Sequence, residues 1–297
     1  MEIMTGGLNM SEISARLENV SFRYANGEDG ALGSVTLEIA KGECVLLCGG
    51  SGCGKTTVTR LLNGLIPHYY EGELSGEVTV LGRKIKDTPI EDLAGHVGSV
   101  FQNPRSQFFC VDTTAEIAFG CENMGLEEKE ILARLDRTVA DMHLEKLMNR
   151  SIFGLSGGEK QKIACAGVSA MMPELIVLDE PTSNLDLDAI AELSEIIKSW
   201  KADGKTIVIA EHRLGWLKGL CDRVILMEKG SITRQFTGEE FFALDSSTLG
   251  GMGLRSIQGG SDYLSSPTGV TAIKPFAGKE VITLENFVPV TSLPNIS

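Results

Sequence analysis

The chain has 297 residues, of which 42% are hydrophobic and 23% are charged, and its formal net charge is −13. This composition is typical of an ordinary globular protein that can bury a substantial core. The apolar runs are no longer than a strand, so no segment is predicted to cross a membrane. The acidic balance disfavours a nucleic-acid partner. Neither a secretory leader nor a disulfide framework is expected.

The first part of the chain has the pattern of β-strands. Residues 14–40 carry β-forming residues on both sides of a polar turn at 25–30, which predicts two strands. A buried strand is predicted at 44–48, and it leads directly into a glycine-rich loop and a helix that begins near Lys55. A further short strand pair is predicted at 76–85.

The second part of the chain alternates between helical and strand patterns. Hydrophobic residues spaced near 3.6 predict helices over 111–150, and another helix follows Ser156. The remaining predicted elements are a strand at 175–178, a helix at 187–200, a strand at 206–210 and a strand pair at 224–233. This alternation predicts an α/β fold with a mostly parallel core sheet, an N-terminal β layer and a helical insert at about 105–165.

The composition changes after about residue 245. Residues 246–280 are rich in Gly and Ser and are predicted to form a linker. The sequence LENF at 284–287 resembles LENV at 17–20, which fits either chance or the start of a second copy of the same domain at 281–297. The main predicted domain therefore covers residues 12–245.

The glycine-rich loop matches the pattern G-x-x-x-x-G-K-[ST] and lies between a strand and a helix, as that pattern requires. Its glycines let backbone N–H groups surround a phosphate, and the positive end of the helix points at the same anion. Lys55 is predicted to reach the β- and γ-phosphates of a nucleotide, and Thr56 to offer its hydroxyl to Mg²⁺. The predicted nucleotide-binding residues of this loop are Gly49, Gly50, Ser51, Gly52, Cys53, Gly54, Lys55, Thr56 and Thr57.

Two adjacent carboxylates follow the predicted strand at 175–178. Acidic residues at the carboxyl end of such a strand lie where α/β sheets bind their ligands. Asp179 is predicted to hold Mg²⁺, directly or through water, and Glu180 to polarise the water that attacks the γ-phosphate. The alternative, a solvated strand end, leaves the nearby phosphate loop without its metal and its base.

A second anion site is predicted where the helix after Ser156 begins. In the segment LSGGEKQ at 155–161, Ser156 would cap the helix and leave N–H groups and a hydroxyl facing an anion. A P-loop kinase or GTPase has no use for such a site. The segment resembles the signature motif of ABC ATPases, which in that family closes over the γ-phosphate held by an opposing domain. The resemblance assigns this contact to Ser156, Gly157, Gly158 and Glu159.

Further segments resemble the other motifs of this family, in the expected order along the chain. The resemblance implies that Tyr24 stacks on adenine, that Gln102 links Mg²⁺ to a transmembrane partner and that His212 contacts the γ-phosphate; SNLD at 183–186 resembles the D-loop. It also implies a P-loop NTPase (RecA-like) core with an N-terminal antiparallel β subdomain and an inserted helical subdomain. The implied cofactors are ATP and Mg²⁺, and two domains would sandwich two ATP molecules.

One group within the family, the energy-coupling factor (ECF) ATPases, looks most similar. The similarity rests on FQNP at 101–104, Gln107 and AEHR at 210–213. ATPases of that group work in pairs beneath a shared transmembrane subunit and serve vitamin or metal-ion uptake. Arg105 stands where the group often has an acidic residue, which leaves the subgroup open. Phe108 and Phe109 would line a groove for a coupling helix, or could equally be core residues.

The resemblance implies a peripheral subunit at the cytoplasmic face of a membrane. Its partners would be a second ABC ATPase domain and an integral membrane transporter subunit, with no nucleic acid. The main alternative is a soluble tandem ABC protein that acts on ribosomes or in DNA repair. Such proteins usually carry a long charged linker, or long coiled-coil or zinc insertions, and this sequence has none of these features. A P-loop kinase would leave residues 155–161 and His212 without a purpose.

Overall fold

The computed structural model describes residues 12–27 and 31–254. The strands in chain order are β1 (Ile13–Tyr24), β2 (Leu32–Ala40), β3 (Cys44–Gly49), β4 (Gly72–Val80), β5 (Arg83–Lys84), β6 (Val97–Val100), β7 (Leu175–Asp179), β8 (Thr206–Ala210), β9 (Arg223–Glu228) and β10 (Ser231–Thr237). The helices are α1 (Lys55–Leu62), α2 (Leu65–His68), α3 (Ile90–Ala94), α4 (Thr113–Asn123), α5 (Glu128–Asp141), α6 (Gly157–Met171), α7 (Leu187–Ala202), α8 (Gly238–Phe242) and α9 (Ser246–Gly251).

The strands form two sheets that differ in strand direction. The smaller sheet is antiparallel, with the order β2-β1-β4-β5. The larger sheet has the order β10-β9-β3-β8-β7-β6; β9 through β6 are parallel, and β10 is an antiparallel edge strand. The predicted N-terminal β layer and mostly parallel core sheet are therefore confirmed.

The central strands of the larger sheet are mainly apolar because both of their faces are covered. Every residue of β3 and β8 is buried, as expected for parallel strands between two layers. Leu17 and Val45 belong to the core shared with the antiparallel sheet, whereas Leu46 and Ile163 belong to the core shared with the helices. The carboxyl ends of the parallel strands lie together at one edge, where such sheets bind ligands.

The turn at Gly230, between β9 and β10 of the larger sheet, is hydrogen-bonded both to β2 of the smaller sheet and to the loop that follows β3. The Gly230 carbonyl accepts a hydrogen bond from the N–H of Gly33 in β2 (2.9 Å), and its N–H donates to the carbonyl of Cys53 (3.0 Å). Its φ of +80° suits glycine, and a Cβ there would collide with a backbone carbonyl just before β2. A second buried link joins Ser14 Oγ in β1 to Thr206 Oγ1 in β8 at 2.7 Å.

The helical insert lies between β6 and β7 and contains α4, α5 and α6. Asp112 caps α4 by accepting hydrogen bonds from the N–H groups of Thr114 and Ala115. Arg134 of α5 donates to the carbonyl of Met171 (3.1 Å), at the end of α6. Within the insert, the start of α4 is therefore capped, and α5 is bound to the end of α6. In the described part of the chain, no helix is both long and apolar enough to cross a bilayer.

The segment after residue 245 differs from the predicted linker. Asp245 caps α9, and Leu249 is fully buried in the same core as α6 and α7. Met252 and Leu254 also pack against this core, so the prediction of a linker was wrong for residues 246–254. The prediction followed the high Gly and Ser content and took no account of the single leucine, Leu249, that is buried in the core. The rest of that predicted linker and the predicted second domain start at 281–297 lie outside the described residues.

Candidate functional site

The phosphate loop connects β3 to α1, at the carboxyl edge of the core sheet. Gly49, Gly52 and Gly54 have φ values of +143°, +71° and +103°, a region of φ that favours glycine. A Cβ on Gly49 would also collide with the carbonyl of Met227 in β9. Within the described residues, the N–H groups of residues 51–54 donate to no backbone carbonyl. The glycines therefore hold a row of donors ready for an anion, beside the N-terminus of α1.

Lys55 is already folded back over the phosphate loop. Its ammonium donates to the carbonyls of Gly49 (3.1 Å) and Gly50 (3.0 Å), and the residue is only 4% exposed. The thiol of Cys53 lies 3.7 Å from the same ammonium and is also buried. The loop thus places one positive charge where the phosphates of a nucleotide would lie.

Asp179 is brought next to Thr56, as the sequence predicts for two magnesium ligands. The Thr56 hydroxyl donates to Asp179 Oδ1 at 3.1 Å. Burial raises the pKa of the Asp179 carboxyl to about 6; the Thr56 hydrogen bond opposes this rise, and the Glu180 carboxylate adds to it. A hydroxyl and a buried carboxylate are oxygen ligands that Mg²⁺ takes. An ion there would also relieve the carboxylate of its unfavourable charge.

The raised pKa of Asp179 makes a prediction about stability. Between its ordinary pKa of 3.8 and its folded pKa of about 6, the folded protein binds more protons than the unfolded chain, so its free energy of unfolding falls as pH rises. We expect Asp179→Asn to raise the Tm at pH 7.5 by about 2–4 °C, as a gain of about 1 kcal/mol would. Well below pH 3.8, where Asp179 is protonated in both the folded and the unfolded chain, the variant and the wild type should agree.

Thermal unfolding without nucleotide or Mg²⁺ measures this difference. Asp203→Asn is the control, because Asp203 is an exposed residue at the end of α7. Equal Tm values for Asp179→Asn and the wild type at both pH values would contradict the assigned pKa. Addition of Mg²⁺ and ATP should then stabilise the wild type more than the variant.

Glu180 lies between two of the predicted catalytic side chains. Gln102 Nε2 donates to Glu180 Oε2 at 2.9 Å, and His212 Nε2 lies 2.9 Å from Glu180 Oε1. The backbone of Glu180 has φ +46°, which is unusual outside glycine, and its N–H donates to the carbonyl of Ala210 in β8 (2.8 Å). Three residues that are remote in sequence therefore meet at one carboxylate beside Asp179.

The signature segment begins α6 with a complete capping box. Ser156 Oγ accepts from the N–H of Glu159, and the Glu159 carboxylate accepts from the N–H of Ser156. These bonds and Arg150 hold the pKa of Glu159 below its ordinary value. A Cβ on Gly158 would press on Ala189 of α7, so this glycine permits helix contact. Among the described contacts, none joins Ser156, Gly157, Gly158 or Glu159 to the phosphate loop.

Tyr24 does not fit its predicted role. Its ring is 4% exposed and packs edge-on against Phe22 and Tyr70. Its hydroxyl contacts Thr57 Oγ1 at 3.1 Å and accepts from Arg60 Nη1 at 2.9 Å. With the ring enclosed in this way, no face is open for adenine to stack on. The resemblance assigned a role to this tyrosine from its position in the sequence, which carries no information on the packing of its side chain.

Two residues next to His212, Glu211 and Arg213, were given no individual role by the sequence. Glu211 is 2% exposed and its carboxylate accepts hydrogen bonds from Thr182 and from the N–H groups of His212 and Arg213. Arg213 Nη1 donates to the carbonyl of Leu185 at 3.2 Å. The available signal for Glu211 was an acidic residue directly after a mainly apolar strand.

A phosphate loop, a buried aspartate and a glutamate bound by two side chains lie at the edge of a mostly parallel sheet that carries an antiparallel layer and a helical insert. This is the architecture of the ABC class of P-loop ATPase domains. The family described as ABC transporter matches residues 32–183. A protein of Treponema denticola described as an ABC transporter ATP-binding protein is 52% identical over 239 residues, which are 80% of this chain and 49% of that protein. The chain belongs to this ABC transporter family, and it spans about half the length of that relative.

Other comparisons agree on the fold. A Pyrococcus horikoshii protein described in the same way is 40% identical over 76% of this chain and 80% of its own length. The structure of cbiO1 from Clostridium perfringens, described as part of the ABC transporter complex cbiONQ, superposes with a TM-score of 0.70 at 31% identity, covering 78% and 91% of the two chains. The ATP-binding cassette MJ0796, described as a dimer in a post-hydrolysis state bound to ADP and Pi, gives a TM-score of 0.65 at 26% identity, with coverages of 75% and 98%.

Proposed function

We propose that this chain binds and hydrolyses ATP in order to power a membrane importer of the ECF type. The observation that carries the proposal is the Glu180 carboxylate, held by Gln102 on one oxygen and by His212 on the other. Its neighbour Asp179 contacts Thr56 of the phosphate loop. A base, a metal ligand and a phosphate cradle at one edge of a sheet form the set that phosphoryl transfer to water requires.

Nucleotide binding would use groups that are already in place. The N–H groups of residues 51–54 and the Lys55 ammonium would surround the β- and γ-phosphates. Mg²⁺ fits the oxygens of Thr56, Asp179 and Gln102, and when bound it neutralises charge on those phosphates. The amide nitrogen of Gln102 is engaged by Glu180, so its oxygen is the atom that remains for the metal.

Hydrolysis would proceed by attack of water on the γ-phosphorus. Glu180 accepts a proton from that water as the new oxygen–phosphorus bond forms and the bond to the bridging oxygen of ADP breaks. Gln102 and His212 fix both oxygens of the carboxylate and so hold it in a single orientation. His212 donates from Nε2 in this arrangement, and its other ring nitrogen is directed away from the carboxylate.

A second ABC domain would complete the site. No described contact joins the N-terminus of α6 to the phosphate loop of its own chain, so a phosphate bound there would come from another domain. The dimer described for MJ0796 supports this pairing. Each ATP would then lie between the phosphate loop of one domain and Ser156, Gly157 and Gly158 of the other.

A groove beside the catalytic edge would receive the membrane subunit. It has a volume of about 1090 Å³ and its lining includes Phe101, Gln107, Phe109, Phe119 and Met124. Phe109 is 74% exposed and stacks on Phe119 at a centroid distance of 4.9 Å. Phe108 instead packs against the core. An exposed phenylalanine stacked on a half-buried one in a concave apolar site suits an amphipathic helix of a partner, and Gln102 lies shortly before this segment.

The similarity to cbiO1, described as part of the complex cbiONQ, supports the ECF type. The chain would then be a peripheral subunit at the cytoplasmic face of the membrane, and the cargo would be a vitamin or a metal ion.

We expect Phe109→Asp to release the chain from membranes while its fold is kept, because a charge in the groove opposes burial against an apolar helix. The measurement is the fraction of the chain that sediments with membranes of its own organism, together with its Tm. Tyr69→Asp is the control, since Tyr69 is 73% exposed and lies outside the groove lining. Equal sedimentation of both variants and the wild type would contradict docking in this groove.

A further inference from the structure

Glu211 is an ionisable side chain buried at the centre of the catalytic edge. It follows β8 directly, and its N–H donates to the carbonyl of Leu47 in β3 (3.1 Å), which extends the sheet by one residue. Only 2% of its surface is exposed. A carboxylate in such a place is costly unless hydrogen-bond donors surround it. Its partners therefore indicate why it is there.

Both oxygens of the Glu211 carboxylate accept hydrogen bonds, each from a different loop. Oε2 accepts from Thr182 Oγ1 at 2.6 Å and from Thr182 N–H at 3.3 Å. Oε1 accepts from the N–H groups of His212 at 2.7 Å and Arg213 at 3.0 Å. One carboxylate thus binds the loop after β7 to the loop after β8.

The two loops that Glu211 joins carry the proposed base and its histidine partner. Glu180 lies two residues before Thr182, and His212 supplies one of the amides that Glu211 binds. The only other direct links described between these loops are the His212–Glu180 contact at 2.9 Å, the N–H of Glu180 bonded to Ala210, and Arg213 to Leu185. Of the side-chain contacts between the two loops, those made by the Glu211 carboxylate are the most buried. They include a hydrogen bond from the backbone N–H of His212 itself.

We propose that Glu211 is a positioning residue that sets the distance between His212 and Glu180, and so holds the general base in its reactive orientation. This inference rests on the proposed ATPase function. The role requires a carboxylate, because four donors converge on its two oxygens. A glutamine at this position would place an NH₂ group against the Thr182 N–H or against the two amides of the histidine loop. Either orientation pushes one loop away from the other.

The test compares Glu211→Gln with the wild type in steady-state ATP hydrolysis. We expect kcat to fall by about 10²-fold, the cost of a displacement of roughly 1 Å at a reacting group, while KM changes by less than about twofold because the phosphate loop is untouched. Glu228→Gln is the matched control, since Glu228 is exposed at the end of β9, two strands away in the same sheet. An unchanged kcat in Glu211→Gln overturns the proposal, and so does an equal loss of kcat and affinity together with a large fall in Tm.

A spectroscopic measurement separates positioning from general support of the fold. The chain has four histidines, so the imidazole signal of His212 can be assigned as the one absent in His212→Gln. In Glu211→Gln we expect this signal to move while those of His68, His96 and His143 stay in place. A His212 signal that does not move overturns the proposal.

Thr182 offers a second variant should Glu211→Gln not fold. Thr182→Val keeps nearly the same side-chain shape but removes the hydroxyl that donates to Glu211, so it should lower kcat. Thr182→Ser keeps the hydroxyl and should resemble the wild type. Equal kcat values for these two variants overturn the proposal. Failure of the proposed function itself would appear differently, as a wild-type chain that binds Mg²⁺ and ATP without releasing phosphate; the His212 signal would then still report whether Glu211 positions that residue.

Discussion

Glu180→Gln is expected to bind Mg²⁺ and ATP but to hydrolyse the nucleotide about 10²–10⁴-fold more slowly than the wild type, the range that a general base contributes. Glutamine keeps the shape of glutamate, and its amide can still meet Gln102 or His212. It cannot accept a proton from water. The loss should therefore appear in kcat, with affinity for ATP preserved.

The same variant should accumulate as an ATP-bound dimer, because the domains would separate only after hydrolysis. Size-exclusion chromatography with Mg²⁺ and ATP, compared with Mg²⁺ and ADP, measures this. Glu174→Gln is the control: Glu174 is exposed just before β7 and pairs with His96 at 3.0 Å. Normal turnover by Glu180→Gln would show that the base lies elsewhere.

Lys55→Ala is expected to weaken ATP binding by about 10- to 100-fold, as the loss of a charge-assisted hydrogen bond predicts. The ammonium is 4% exposed and is held by the carbonyls of Gly49 and Gly50. It would move little to meet a phosphate, so little ordering entropy opposes binding. Alanine removes the charge and also leaves those two carbonyls without a donor.

Calorimetric titration with a non-hydrolysable ATP analogue and Mg²⁺ measures the Lys55 effect directly. Lys198→Ala serves as the control, because Lys198 is a surface cation whose one ion pair with a described residue is with Glu195, three residues earlier in α7. Affinity in Lys55→Ala within twofold of the wild type would mean that the phosphates are bound elsewhere. A fall in the Tm of the variant without nucleotide would instead measure the stability lost when the carbonyls of Gly49 and Gly50 no longer accept hydrogen bonds from Lys55.

The parts of the fold that follow from local pattern were predictable. β3 and β8 are mainly apolar, as expected of strands that are buried along their whole length. The glycines of the phosphate loop predict positive φ values, and Ser156 followed by Glu159 predicts a capping box; both are observed. Gln102 and His212 were predicted by resemblance and Glu180 from the acidic pair at a strand end, and each of the three follows a recognisable strand. Their convergence on one carboxylate then follows from the parallel sheet, which brings strand ends to one edge.

The parts that escaped prediction depend on side-chain contacts between distant segments. Tyr24 turns its ring into the β layer because Arg60 and Thr57 bind its hydroxyl, and nothing in β1 encodes that choice. Leu249 is a single leucine in a segment of small polar residues, yet a pocket in the core receives it. In the sequence Glu211 is an ordinary acidic residue at the end of a strand, and only the structure shows that Thr182 donates a hydrogen bond to it. Such contacts are set by tertiary packing, which periodicity does not report.

The turn at Gly230 has a thermodynamic consequence. Because it binds β2 on one side and the carbonyl of Cys53 on the other, an opening of β2 that takes this turn with it also removes a support of the phosphate loop. Strand and loop then belong to one cooperative unit. A ligand that binds only the ordered loop raises the free energy of opening of the whole unit by mass action. Amide hydrogen exchange in β2 should therefore slow when nucleotide binds, which makes the outer β layer a reporter of occupancy.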